Sequence, residues 1–218
     1  MFNGLFVVLE GGDYSGKGEQ TKRLHNLFVD FSEDNAILTE HEPTGRAKKI
    51  KENLAADLDP YSKAVEMTSL YIDDRDFHTR MDIAPALERG KIVIENRYKM
   101  STCAYQWAQG ISLEELFKLH DEKFILIPDI TYVLDITPET ATRRSKNDGV
   151  TRDKFERLEE FRNRVYLNYR TLTGMAQQDL SLFGKVELID GNNGQDQVTA
   201  DIMKTLKPIY DEWILEQA

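Results

Sequence analysis

The segment Glu10-Gly11-Gly12-Asp13-Tyr14-Ser15-Gly16-Lys17-Gly18 has the residue types and spacing of a phosphate cradle, G-x-x-x-x-G-K. Gly11 and Gly16 let backbone amides curl around an anion, Lys17 adds a mobile cation, and the helix expected to start here contributes the positive end of its dipole. The competing reading is a glycine-rich turn with a chance lysine. Placement directly after an apolar run and before a helical stretch favours the cradle. The motif ends in Gly18, where Ser or Thr is usual. The hydroxyl normally found there coordinates Mg²⁺, and glycine has no side chain to offer. Glu19 follows. Its carboxylate suits a helix N-terminus but repels a nearby α-phosphate unless a cation lies between them. Metal handling at this turn is therefore expected to be non-standard.

A cradle of this kind has to be held by a strand and a helix. Leu5 to Leu9, Ile92 to Ile94, Ile130 to Leu134 and Val186 to Ile189 are short apolar or β-branched runs, as buried parallel strands are. Between them lie expected helices at about Glu19 to Ser32, Tyr61 to Arg89, Ser101 to Ala108, Leu113 to Leu119, Phe155 to Leu182 and Gln195 to Glu216. The second of these is expected to split in two, because Pro85 and the polar Asp73 to Asp76 stretch interrupt it. Strands alternating with crossover helices predict an α/β fold, a doubly wound parallel sheet with helices on both faces and a ligand crevice at the carboxyl ends of its strands.

With 218 residues, 40% apolar, 30% charged and 6 prolines, the chain reads as one domain spanning residues 1–218, without internal repeat, low-complexity tract or linker. A net charge of -10 argues against a nucleic-acid polymer as partner, since such binding draws on clustered Lys and Arg. Small anions fit a local basic pocket. Cys103 is the only cysteine, which excludes an internal disulfide and a cysteine-rich zinc site and suits a reducing cytosol. The short apolar run Leu5 to Leu9 lacks a basic leader and the length of a membrane helix, so a cytoplasmic protein without membrane association is expected.

Taken together, Glu10-Gly11-Gly12-Asp13 with Gly16-Lys17 of the P-loop (residues 11–18) and Gln20, then Glu42-Pro43, Leu70-Tyr71, Arg75, Arg97-Tyr98 and Ala104-Tyr105-Gln106 resemble the thymidylate kinase family, in that family's order. The resemblance runs on through Asp135-Ile136-Thr137-Pro138-Glu139 to the last helix and so covers nearly the whole chain. It implies a P-loop NTPase-type sheet with a short arginine-bearing lid, ATP and Mg²⁺ as cofactors, and a possible homodimer. ATP would be held by Gly11, Gly12, Asp13, Tyr14, Ser15, Gly16, Lys17, Gly18 and Glu19. The monophosphate side would comprise Asp13, Glu42, Pro43, Tyr71, Arg75, Arg97, Tyr98, Thr102, Tyr105 and Gln106.

Within that resemblance, Asp13 corresponds to the acid that bonds the sugar 3′-hydroxyl, although a turn-capping role stays open. Tyr71 resembles the aromatic that stacks on the base. Arg75, one helical turn along, resembles the arginine that contacts the base or its phosphate. The alternative is a packed tyrosine beside a surface salt bridge. Arg97 matches the arginine that grips the acceptor phosphate, with Tyr98 packed beneath it. Thr102, Tyr105 and Gln106 share one helix face and resemble the residues lining the base edge; a capped polar face is the alternative.

The family has Asp immediately before this arginine, where the present chain has Asn96, preceded by Glu95. That acid helps hold Mg²⁺ or its waters, so Glu19, Glu95 and Asn96 are the candidate metal residues, with Glu95 expected on the opposite face of its strand. The basic stretch at about 143–153 resembles the lid over ATP. Arg143 is the candidate for adenine or phosphate, and Arg152, grouped with Lys17 and Arg97 as catalytic, the candidate for the γ-phosphate; a solvated helix end is the alternative. His25, His41, His78 and His120 show no metal-ligand spacing and no nucleophile partner. The expected activity is ATP-dependent phosphorylation of a deoxynucleoside monophosphate, dTMP first. The alternatives are a weakened nucleotide-binding homologue, motivated by Gly18, Glu19 and Asn96, and a kinase with another acceptor base.

Overall fold

The computed structural model describes residues 3–32, 36–38, 41–56, 59–147, 155 and 158–217. In chain order the elements are β1 (Leu5–Glu10), α1 (Lys17–Ser32), β2 (Ala36–Leu38), α2 (Lys48–Ala56), α3 (Ala64–His78), a π-helical turn (Thr79–Ile83), α4 (Ala84–Glu88), β3 (Ile92–Asn96), α5 (Lys99–Ala108), α6 (Leu113–Asp121), β4 (Ile130–Asp135), α7 (Pro138–Asn147), α8 (Glu159–Ala176), β5 (Lys185–Asp190) and α9 (Gln195–Gln217). Among the described residues the strands form a five-stranded sheet in the order β2-β3-β1-β4-β5, and every pairing is parallel.

Every residue of β1 is buried, because this strand lies at the centre with helices on both sides. Alternate side chains divide between two layers. Leu5, Val7 and Leu9, with Ile92 and Ile94 of β3 and Tyr132 of β4, pack against Leu24 and Phe28 of α1 and Ile202 and Leu206 of α9. Phe6, Val8 and Val93 face Ile83 and Leu87 around α4. Val133 and Val186 join Met100 and Ala104 of α5 to Phe161, Val165 and Leu172 of α8. The chain leaves β1 toward one edge of the sheet and β4 toward the other, and this reversal opens a crevice at the carboxyl end of β1.

The strands agree with the apolar runs, while β2, α2 and α7 emerge only in the structure. The expected break near Asp73 to Asp76 does not occur, since α3 runs through it. Those carboxylates serve as docking points: Asp74 accepts from Thr44 N at 2.8 Å and Thr44 Oγ1 at 2.7 Å, and Asp76 from Phe124 N at 2.7 Å. The segment does divide in two, at the π-helical turn Thr79–Ile83 just ahead of Pro85. Pro85 occupies the first turn of α4, where its missing N–H is harmless, and the preceding turn widens so that Ala84 N donates to Thr79 O. Most of the lid expected at 143–153 lies outside the described residues, and up to Asn147 that stretch continues α7.

Gly184, which leads into β5, has φ +72°, and a Cβ there would meet the Pro128 carbonyl oxygen at 1.9 Å. The expected outcome of Gly184→Ala is a loss of roughly 3 kcal/mol or more, seen by thermal melting as a Tm lower by on the order of 6–12 °C. An unchanged Tm would refute this packing.

Candidate functional site

Glu10 ends β1 inside the sheet and is 1% exposed. Its carboxylate accepts from the backbone N–H of Tyr98 at 2.8 Å and of Ser101 at 3.0 Å, from Ser101 Oγ at 2.5 Å and from the Tyr169 hydroxyl at 3.0 Å. The β1 end, the β3–α5 turn and α8 are thereby tied at one point. Beyond β1 the chain turns through Gly11 (φ +138°), Tyr14 (φ 64°) and Gly16 (φ +95°), then enters α1 at Lys17. A Cβ on Gly12 would sit 1.9 Å from the Tyr166 ring, and the Tyr166 hydroxyl donates to Asp13 O at 2.8 Å. The backbone of the turn is therefore pressed against α8.

Lys17 folds back over the turn, with Nζ donating to Gly12 O at 2.7 Å and Ser15 Oγ at 3.2 Å. Burial, and next the Arg97 charge, lower its ammonium from the ordinary 10.5 to about 7. Arg97 stands at the β3–α5 turn with φ 69°, a strained value for arginine, held by Arg97 N donating to Leu9 O at 3.0 Å. Its guanidinium is ion-paired with Asp13, reaches Ser101 Oγ at 3.4 Å and lies 5.2 Å over the Tyr105 ring. The Tyr105 hydroxyl donates to Asp13 Oδ2 at 2.8 Å. Burial alone would lift the Asp13 carboxyl; the Arg97 and Lys17 charges outweigh it and hold it below the usual carboxylate range.

A cavity of about 590 Å³ opens beside this cluster. Asp13, Arg97, Ser101 and Tyr105 line it at the phosphate end, and Glu42, Pro43, Tyr71, Arg75, Thr102 and Gln106 line the remainder with His41, Gly45, Lys51, Leu54 and Phe155. The cis Glu42–Pro43 peptide lies at its wall. Arg75 is 1% exposed and donates to Glu42 Oε2 through Nε at 2.8 Å and Nη2 at 2.5 Å. Its Nη1 meets His120 Nε2 at 3.0 Å. Burial, followed by the Arg75 charge, keeps His120 well below the ordinary imidazole value, hence neutral.

Several residues sit elsewhere than expected. Tyr98 does not line the cavity and does not lie under Arg97. Its ring packs 5.3 Å beneath Arg75 and its hydroxyl meets Thr79 Oγ1 at 2.9 Å. Glu19 points outward to Arg23 at 2.8 Å. Glu95 is buried on the far face, as alternation along its strand predicts, 4.0 Å from His78; burial and then the Glu42 charge push its carboxyl well above the usual range, which makes it a poor cation ligand. Arg143 is exposed on α7, whereas its neighbour Arg144 donates to Tyr14 O at 3.0 Å and Gly191 O at 2.7 Å, clamping the cradle to the loop after β5. Arg152 lies outside the described residues. Glu10 stood in the cradle segment and Arg144 in the basic stretch, while Ser101, Tyr166, Tyr169 and His120 carried no sequence signal of a role in the site, since each acts through partners far away in the chain.

A glycine-rich strand-to-helix turn at the switch of a parallel sheet, with a lysine inside it and an arginine-bearing cavity alongside, defines the class of P-loop kinases. The sequence model of thymidylate kinase matches residues 9–201. A probable thymidylate kinase of Pyrococcus abyssi is 35% identical over 208 residues, covering 94% of this chain and 96% of that protein. The thymidylate kinase of Wolbachia sp. subsp. Brugia malayi is 30% identical over 210 residues, covering 94% and 98%. The crystal structure of thymidylate kinase from Ehrlichia chaffeensis superposes with a TM-score of 0.69 at 25% identity, covering 93% of this chain and 98% of that one. The chain belongs to the thymidylate kinase family, whose members are nucleoside monophosphate kinases using ATP as phosphate donor.

Because Lys17 is largely neutral at about pH 8 in the free protein and a bound phosphate favours its ammonium form, ATP binding at that pH is expected to take up a proton. Calorimetry in buffers of different ionisation enthalpy reads this as a dependence of the binding heat on the buffer. The uptake at pH 8 should be lost in Lys17→Met; its absence at pH 8 in the unaltered protein would refute the assignment.

Proposed function

We propose that this chain transfers the γ-phosphate of ATP to dTMP, giving dTDP by direct in-line displacement without a covalent enzyme intermediate. The observation that carries this reading is Asp13, a carboxylate inside the phosphate cradle that also lines the cavity and is held by both Arg97 and Tyr105. A sugar hydroxyl donating to that carboxylate would place the acceptor phosphate at Arg97, and positioning with charge neutralisation supplies most of the catalysis in phosphoryl transfer. Guanidinium matches phosphate in bidentate fashion. In the free protein Asp13 occupies Arg97, so the acceptor exchanges one anion for another rather than desolvating a bare cation.

On the donor side Gly11, Gly12, Tyr14, Ser15, Gly16 and Gly18 offer the turn that wraps the β-phosphate, and Lys17 leaves Gly12 O for the nucleotide's oxygens. Arg143 and Arg152 are the lid residues that close on ATP and its γ-phosphate, excluding water. On the acceptor side Tyr71 stacks on the base, Glu42 and Pro43 form the wall that holds Arg75, and Thr102, Tyr105 and Gln106 meet the base and sugar edges. Tyr98 supports Arg75 from below. The expected base is thymine.

Mg²⁺ fits this site as a water-clad ion. Among the described residues no cluster of three His, Cys, Asp or Glu could hold a metal. The Asn96 Oδ1 atom, however, is buried without a hydrogen-bond partner, and the only atom near a Cβ built on Gly18 is the Asn96 amide nitrogen, at 3.7 Å. Asn96 would hold the ion through a water, and the ion would neutralise charge on the β- and γ-phosphates. A cytoplasmic setting is supported by the lone buried Cys103, and no helix of the described residues is long and apolar enough to cross a membrane. A homodimer is supported by the exposed apolar side chains Val65, Phe77 and Met81 along α3 and the π turn.

A coupled assay of ADP release is expected to show turnover with dTMP above that with dCMP and dGMP and above an ATP-only blank; no release with any monophosphate would sink the kinase reading. Asn96→Asp is expected to lower the Mg²⁺ concentration for half-maximal activity about tenfold, and an unchanged Mg²⁺ titration would remove Asn96 from the metal shell.

A further inference from the structure

The cavity is walled in part by two helices presenting polar groups one turn apart: Tyr71 and Arg75 on α3, and Thr102 and Gln106 on α5. A base docked there is distinguished by which edge atoms donate and which accept. Arg75 can only donate. The Gln106 amide could serve either way, since its two ends have the same shape. Its direction is decided by a residue outside the cavity wall.

The chain of constraint begins at the Pro60 carbonyl, which can only accept. The Gln109 atom 2.5 Å from it must therefore be the amide nitrogen. The other end of the Gln109 amide is then its oxygen, and that oxygen accepts from Gln106 Nε2 at 3.0 Å. Both side chains are buried, Gln106 at 1% and Gln109 at 9% exposure, so water does not compete for these bonds. One N–H of Gln106 is taken by Gln109, which turns the nitrogen end of the amide toward Gln109 and leaves its oxygen as the acceptor that Gln106 can offer a ligand. The wall thus offers a donor at Arg75 and an acceptor at Gln106. Thymine and uracil complement this pair, with a carbonyl oxygen beside a ring N–H. Cytosine presents an amino group and a bare ring nitrogen, and mismatches both.

We infer that Gln109, which touches no ligand, is a specificity-positioning residue: anchored on the Pro60 carbonyl, it orients the Gln106 amide so that the pocket accepts a keto pyrimidine and rejects cytosine. This rests on the nucleotide reading of the cavity given above. Buried polar atoms left unpaired are costly, so the oriented amide should separate the two bases by about tenfold or more.

The test uses the whole protein. Dissociation constants for dTMP, dUMP and dCMP are measured by calorimetry, with kcat/KM for each, in the unaltered chain, Gln109→Met and Gln109→Glu. Methionine keeps the length of the side chain and removes both hydrogen bonds, freeing Gln106 to turn; the dTMP-to-dCMP preference should fall about tenfold while dTMP and dUMP stay matched. Glutamate offers Gln106 an oxygen but sets its other oxygen against the Pro60 carbonyl, which breaks the anchor, so the preference should fall here too. A packing role alone would weaken all three nucleotides in proportion, and an unchanged preference in Gln109→Met overturns the inference. Should that variant not fold, an unchanged preference in Gln109→Glu overturns it equally. If the unaltered chain binds dTMP and dCMP alike, the inference falls while the nucleotide pocket stands; if it binds none of the three, the nucleotide reading itself falls.

Discussion

A carboxylate buried between the layers of a parallel sheet is tolerable only when its oxygens are met by donors. Glu10 meets that condition by drawing in the Tyr98 and Ser101 amides and the Ser101 and Tyr169 hydroxyls. The constraint is severe, and the site depends on it. It pins the first turn of α5 and the side of α8 to the end of β1. Arg97 is thereby held at a positive φ between two bonded positions, and its side chain is delivered back over the cradle. A residue that touches no ligand thus determines where the principal cation points.

The electrostatics of the site follow from close pairing within an acidic chain. Lys17 and Arg75 are buried and Arg97 is partly so, where an unpaired charge would be costly. Glu42 matches Arg75, Asp13 matches Arg97, and Lys17 has only hydrogen-bond acceptors and more distant acids, so its ammonium is the one driven down. The free protein therefore carries its phosphate-binding charge in a partly cancelled form. Nucleotide phosphates complete the pairing instead of creating it, which lowers the desolvation cost of binding.

The polar residues that surround this cluster act in relays. His120 donates through Nδ1 to Leu116 O at 2.6 Å, since a carbonyl can only accept, and its other nitrogen receives Arg75. Arg144 gathers carbonyls from the cradle and from the loop after β5. In each relay a backbone carbonyl, whose role is invariable, sets the direction of a side chain that could have pointed otherwise. Backbone groups held by the sheet and helices thus transmit the rigidity of the fold to the cavity wall.

The central strands, the helix after the cradle and the cradle itself were legible in the amino-acid order because each depends on local physics, while the residues of the cavity wall were reached through the family resemblance. Apolar runs specify buried strands, G-x-x-x-x-G-K specifies a turn that exposes amides, and one-turn spacing puts Tyr71 with Arg75 and Thr102 with Gln106 on shared faces. The short β2 was too brief to register. The acids at Asp73 to Asp76 read as a helix break because their partners, Thr44 and Phe124, are remote in the chain. Only the tertiary structure decided that Tyr98 lies under Arg75, that Glu19 turns away from the cradle, that Arg144 rather than Arg143 holds it, and that Gln106 has a direction. Those outcomes depend on burial and on hydrogen bonds between residues far apart in sequence, and neither quantity exists until the layers have packed.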